Sequence, residues 1–133
     1  MMTDRNTDKR NGNDLSLGVA ASIKVEAGHM GAVNASGFAV PASDTAGLKV
    51  MGRIEETVDN TAGANGDNSV GILRNQAFHW ANSATNPLTV ADIGGDAYVE
   101  DSITVTNDAG ATSNIVAGKI LGVDSKGVWV EAR

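Results

Sequence analysis

The chain has no cysteine, which excludes a disulfide framework, a thiolate metal site and a thiol nucleophile. Histidine is almost as scarce, with His29 and His79 the only two. A zinc site of three nitrogen or sulfur ligands is therefore out of reach, and at most a two-histidine, one-carboxylate set remains. The simpler reading makes both histidines ordinary turn, surface or rim residues. Proline occurs only at Pro41 and Pro87, so this is no proline-rich linker. No apolar run approaches the ~20 residues of a membrane-spanning helix. Residues 1–14, MMTDRNTDKRNGND, lack the apolar stretch of a secretory signal and are not expected to act as one.

Positive charge is also in short supply. Sixteen Asp and Glu outnumber ten Lys and Arg, for a net charge of -6. An acidic surface repels phosphate, so neither nucleic acid nor an anionic membrane is an expected partner. Catalytic motifs are missing as well. There is no Walker loop, and no Gly-x-Gly-x-x-Gly follows a strand. Gly71–Asn75 and Gly94–Tyr98 hold no serine, so no Gly-x-Ser-x-Gly nucleophile elbow forms. The acidic loop Asp59–Asn68 fails as a calcium loop, which needs oxygen ligands at positions one, three and five and glycine at six. Counted from Asp59 those places hold Thr61, Gly63 and Ala64, and counted from Asn65 the glycine is missing. A glycine-rich hairpin loop with almost nothing to bury is the simpler reading. No catalytic residue, metal site or cofactor is expected.

What the chain has is glycine and alternation. Sixteen glycines stand where about nine would be average, and they sit between short apolar runs. At 133 residues the chain is sized for one domain, burying roughly 70% of its unfolded surface. The polar arm 1–14 has no apolar residue after its two methionines and cannot offset its ordering entropy, so a flexible arm followed by one domain over 15–133 is predicted.

From Leu15 to Val25 apolar residues alternate with small or polar ones, the period of a half-buried strand. The length of this run allows two short strands with a kink near Gly18. Met30–Asn34 and Phe38–Val40 flank a glycine-containing loop and predict a hairpin whose second strand Pro41 either ends or places at an edge. Leu48–Val58 predicts a strand with Leu48, Val50, Gly52 and Ile54 on one face. Val70–Trp80 predicts another, with Val70, Ile72, Phe78 and Trp80 in register. Arg74 and Gln76 fall on that same face, so a bulge or an interface is expected to interrupt it. Thr89–Ile93 is the single candidate helix, with Asp92 as a capping-box partner of Thr89. Ala97–Glu100, Ile103–Thr106 and Ile115–Val123 predict three more strands, and Ser125-Lys126-Gly127 turns the last of these into Val128–Ala132. The fold class is all-β: a small barrel or sandwich of short antiparallel strands with at most one short helix.

Several stretches, taken in order, resemble a family of phage capsid cement or head-decoration proteins. They are Val25-Glu26-Ala27-Gly28, then Ala32–Ala42 (AVNASGFAVPA), Val50–Asn60 (VMGRIEETVDN) and Gly63–Asp67 (GANGD). Ala97–Asp101 (AYVED), Thr104-Val105-Thr106, Ala117–Asp124 (AGKILGVD) and Gly127–Val130 (GVWV) follow. Each piece is a turn or strand signature, and their order from Leu15 to the end carries the likeness. The resemblance implies a virion protein on the outer surface of a tailed-phage capsid, assembled in the bacterial host cytoplasm. It implies the major capsid protein as partner and a homo-oligomer, with a trimer favoured. Candidate contacts to the shell or a neighbouring subunit are Arg5, Lys9 and Arg10 in the arm and Leu15 and Leu17 in the first strand. The aromatics Phe78, Trp80 and Trp129 complete the set, since aromatics are enriched at interface centres. Phe78 and Trp80 share a strand face and serve equally as core. Trp129 is out of phase with Val128 and Val130. The alternative is a virion-surface adhesion or carbohydrate-binding module with Trp80 or Trp129 as an exposed platform. A small hydrolase ranks last.

Overall fold

A computed structural model describes residues 3–132. Within them the backbone is all-β, with twelve short strands and two single 3-10 turns. The strands are β1 (Asp14–Gly18), β2 (Ile23–Val25), β3 (Met30–Val33), β4 (Ala39–Pro41), β5 (Lys49–Ile54) and β6 (Val58–Asn60). They continue with β7 (Ser69–Leu73), β8 (Gln76–Asn82), β9 (Asp96–Val99), β10 (Thr104–Thr106), β11 (Val116–Asp124) and β12 (Gly127–Ala132).

The chain builds two halves in succession. Residues up to Leu73 form a five-stranded sheet in the order β1-β7-β5-β3-β4, together with a two-stranded ribbon, β2-β6. Residues from Gln76 onward close into a five-stranded barrel, β10-β8-β12-β11-β9. The barrel pairs are antiparallel except β10 with β8. A closed ring with an odd number of strands cannot alternate throughout, so one parallel pair is forced. The expected all-β class of short antiparallel strands holds, with this one parallel strand pair.

Apolar residues line both faces of the sheet. On one face Ala39, Ile54, Val70 and Ile72 pack with Val19 and with Val25 of the ribbon, and Leu15, Leu17 and Met51 lean on the same cluster. On the other face Met30, Ala32, Val40, Val50 and Leu73 join the barrel interior of Phe78, Trp80, Val99, Val105, Ile120, Val128 and Val130. Ribbon, sheet and barrel are thus stacked around two cores. Successive side chains of a sheet strand therefore point to opposite cores, whereas those of a barrel strand alternate between the interior and the outside.

One expectation is resolved on this geometry and three change. The run Leu15–Val25 is two strands, as its length allowed, broken after Gly18 and turned through Ser22 at φ 61°. Leu48–Val58 is not one face. The pairing of β3 with β5 shifts between Gly31 and Ala32, so Val50 packs towards the barrel and Ile54 towards the ribbon. Val70–Trp80 is neither a single strand nor a bulged one. It is two strands of different sheets, joined by Arg74 and by Asn75 at φ 60°, a left-handed conformation that asparagine tolerates. The segment Asp59–Asn68 is not a hairpin loop, since β6 pairs with β2 and β7 with β1 and β5. Nor does it bury nothing, because Asn60 is enclosed (1% exposed).

The candidate helix proves to be one 3-10 turn, Val90–Asp92, where the Asp92 carboxylate accepts from the Thr89 N–H at 2.7 Å. A second turn, Asp108–Gly110, adds to it, with the Asn107 side chain accepting from Gly110 N–H at 3.1 Å.

Candidate docking surface

The outer barrel wall is built around Trp129. On β12 the flanking Val128 and Val130 point inward and are fully buried, so Trp129 must point out, and it is 44% exposed. Its cross-strand neighbours are His79 on β8 and Gly122 on β11. The His79 ring stacks at 4.8 Å between centroids and tilted 40°, holding the indole in place. Gly122 offers no side chain, so that flank of the indole stays uncovered.

A register shift between Ile120 and Gly122 makes Leu121 the extra residue of a bulge. Ile120 stays in the core while Leu121 is 49% exposed. The 3-10 turn docks at the same place, with Gly94 N–H donating to Ile120 O and Ile120 N–H to Gly95 O, both at 2.9 Å. This pins Ile93 and Val90 beside β11 with their side chains in solvent. Six large apolar residues are well exposed among the described residues: Val90, Ile93, Ile103, Val116, Leu121 and Trp129. All six belong to the barrel half.

The charged groups are fixed by turns. The Asp124 carboxylate accepts from Lys126 N–H (2.8 Å) and Gly127 N–H (2.9 Å) and faces His79 Nε2 at 3.2 Å. Those backbone donors, Lys126 first, with His79 beside them, hold its carboxyl below the ordinary range. Asp59 is lowered by the Thr61 hydroxyl and then the Thr61 N–H. Asp44 is lowered by the backbone N–H groups of Thr112 (2.7 Å) and Ser113 (2.8 Å). That last contact ties the sheet half to the barrel half.

The other predicted contact residues scatter. Arg5, Lys9 and Arg10 are exposed and lie outside any strand. Leu15 and Leu17 are half-buried against the ribbon-side core, on an edge strand that pairs with β7 alone. Phe78 and Trp80 are corrected. Each is 6% exposed in the barrel core, so their shared face is packing and not a contact surface. Trp129 alone of the three aromatics faces outward. Val90, Ile93 and Leu121 were missed, because an apolar residue in a short turn or a bulge reads from sequence as core.

Two further groupings of side chains lie between the sheet and the barrel. Ser102 Oγ lies 2.7 Å from His29 Nδ1, and Glu26 lies 3.7 Å from His29 Nε2. The same two segments are joined by Met30 N–H donating to Ser102 O at 2.7 Å, so the trio reads as a staple between sheet and barrel. A cleft of about 290 Å³ lies between Arg53 and Gly28 on one side and Ala77, His79 and Trp129 on the other, with Phe78 at its floor. Arg53 spans Phe78 at 5.2 Å and is held by both Nε and Nη2 to Glu55. Among the described residues no group of three or more His, Asp or Glu is placed to hold a metal ion. No family model, no curated protein and no solved structure matches the chain.

Proposed function

We propose that this protein is a structural cement subunit that seats on the outer surface of a tailed-phage capsid and stabilises the expanded head. The observation that carries the reading is the confinement of the well-exposed large apolar residues, among the described residues, to the barrel half. Val90, Ile93, Leu121 and Trp129 stand on rigid barrel elements, while the sheet half exposes no comparable side chain among the described residues. Apolar side chains that rigid elements hold out in water support a surface that a partner covers. The resemblance of the ordered motifs to head-decoration proteins supports the major capsid protein as the partner.

Copies arranged in an oligomer, a trimer on the family's pattern, gain from repeated weak contacts made at high effective concentration. The arm supplies a second point of attachment. Residues 3–13 are exposed and run into β1, an edge strand that a neighbour's extended segment can join. Co-sedimentation with expanded, undecorated heads tests the reading. Saturable binding is expected, and the double variant Leu121→Ser, Trp129→Ala should weaken it about tenfold or more, since exposed aromatics at an interface centre contribute about 1–2 kcal/mol or more. Equal binding by the double variant would place the contact elsewhere.

Trp129 also favours a second reading, a virion-surface carbohydrate-binding module. Its open indole beside His79, Asp124 and the Arg53 cleft suits the apolar face and hydroxyls of a sugar ring. Here glycans should shift the Trp129 indole resonance without any capsid, and the buried Trp80 should stay silent.

A further inference from the structure

The sequence contains two Asn-Gly pairs, Asn11-Gly12 and Asn65-Gly66. Glycine after asparagine offers the least hindered backbone nitrogen for attack on the side-chain amide. Whether attack occurs depends on the freedom of that nitrogen and on the polarisation of the amide carbonyl. The fold treats the two pairs in opposite ways.

At Asn65 the nucleophile is occupied. Gly66 N–H donates to Val19 O at 3.0 Å, and the Asn65 carbonyl oxygen accepts from Ala21 N–H at 2.7 Å. The nucleophile is thus tied to the turn between β1 and β2, and Gly66 itself is held at φ 79°. Val19 is fully buried, so releasing Gly66 means opening the core at that point. At Asn11 the nucleophile is free. Gly12 N–H has no partner among the described residues, and both residues are exposed. The Asn11 carbonyl oxygen accepts from Asn13 N–H at 2.9 Å. A backbone donor thus meets the side-chain oxygen at both asparagines, and the difference between them lies at the glycine nitrogen.

We infer that Asn11 is a spontaneous modification site, deamidating through a succinimide, and that the fold suppresses the same chemistry at Asn65. The Gly12 nitrogen gives its proton to solvent base and bonds to Asn11 Cγ. The side-chain nitrogen leaves as ammonia. Water then opens the ring at either carbonyl, giving aspartate or isoaspartate. The product places a new negative charge beside Lys9 and Arg10. The isoaspartate form also lengthens the backbone by one methylene at the root of the arm, next to Asn13, whose carbonyl accepts from Arg74 N–H at 2.8 Å. The inference stands apart from the capsid reading.

Ageing the full-length protein in warm, mildly alkaline buffer tests it, with peptide mapping by mass spectrometry and enzymatic isoaspartate labelling. Asn11 should convert at the rate of a short peptide of the same local sequence. Asn65 should lag about tenfold or more, as a site that reacts only from a locally opened state. In denaturant the two should converge, and Gly12→Ala should slow Asn11 alone. Equal rates in the native protein would overturn the inference. So would an intact Asn11 after the control peptide has converted.

Discussion

Asn60 shows how one polar side chain organises a glycine-rich segment. It is buried, its Nδ2 lies within 3.2 Å of the carbonyls of Val19, Ala20 and Ala64, and its Oδ1 accepts from Asn68 Nδ2 at 2.8 Å. A Cβ on Gly63 would overlap that same Oδ1, so the turn must pass as glycine. Asn60→Ala leaves buried carbonyls without their donor, at about 1–3 kcal/mol for the group left unsatisfied. Urea unfolding should show a lower midpoint with an unchanged slope, and an unmoved midpoint would deny Asn60 this role. Asp44 acts at longer range, joining the two halves through Thr112 and Ser113. Its carboxyl is lowered in the folded protein, as are those of Asp59 and Asp124. In acid the unfolded chain therefore binds protons first. The stability these groups contribute is complete above the ordinary carboxylate range and drains away as pH falls through the lowered folded values. Thermal unfolding followed down into that range should show Asp44→Asn less stable than the parent at neutral pH, with the gap closing in acid. A gap that persists unchanged would assign the loss to packing instead.

At the scale of elements, glycine marks where the strands change pairing. Gly118 sits at the register shift between β11 and β9, and a Cβ there would overlap the carbonyl oxygen of Glu131. Gly118→Ala should lower stability by about 1–3 kcal/mol through strain at a site that cannot relax, measurable by denaturant titration. The strands themselves were legible. Alternation located the hairpin of β3 and β4, the last hairpin of β11 and β12, and the all-β class, because period two survives wherever a strand has one distinct face. Partner choice was not legible. Nothing in Arg74-Asn75 announces that β7 and β8 belong to different sheets, since both present apolar residues at the same phase, to different cores. The same ambiguity hid the docking surface. Phe78 and Trp80 share a phase and are both buried, whereas Leu121 is turned outward by a bulge that composition does not reveal. The arm carries its own prediction. Residues 3–10 make no contact that the fold depends on, so removing residues 1–10 should leave the unfolding midpoint in place while weakening capsid binding. Unchanged binding would end the arm's role.

For the whole molecule, the two cores and the Asp44 and Ser102 ties join the sheet half to a barrel half that carries the well-exposed large apolar residues. A scaffold of this kind suits a subunit whose task is to stay folded and bridge its neighbours. On the cement account, the net charge of -6 disfavours contact with nucleic acid and between free copies, and short-range apolar contact drives seating. A ligand that binds only the intact shell stabilises it in proportion to its occupancy. The most direct test of the cement account is the temperature at which expanded heads rupture, followed by calorimetry with and without saturating protein. The account predicts a rupture transition that rises with occupancy and returns to that of the bare shell with Leu121→Ser, Trp129→Ala. A rupture temperature indifferent to bound protein would contradict it.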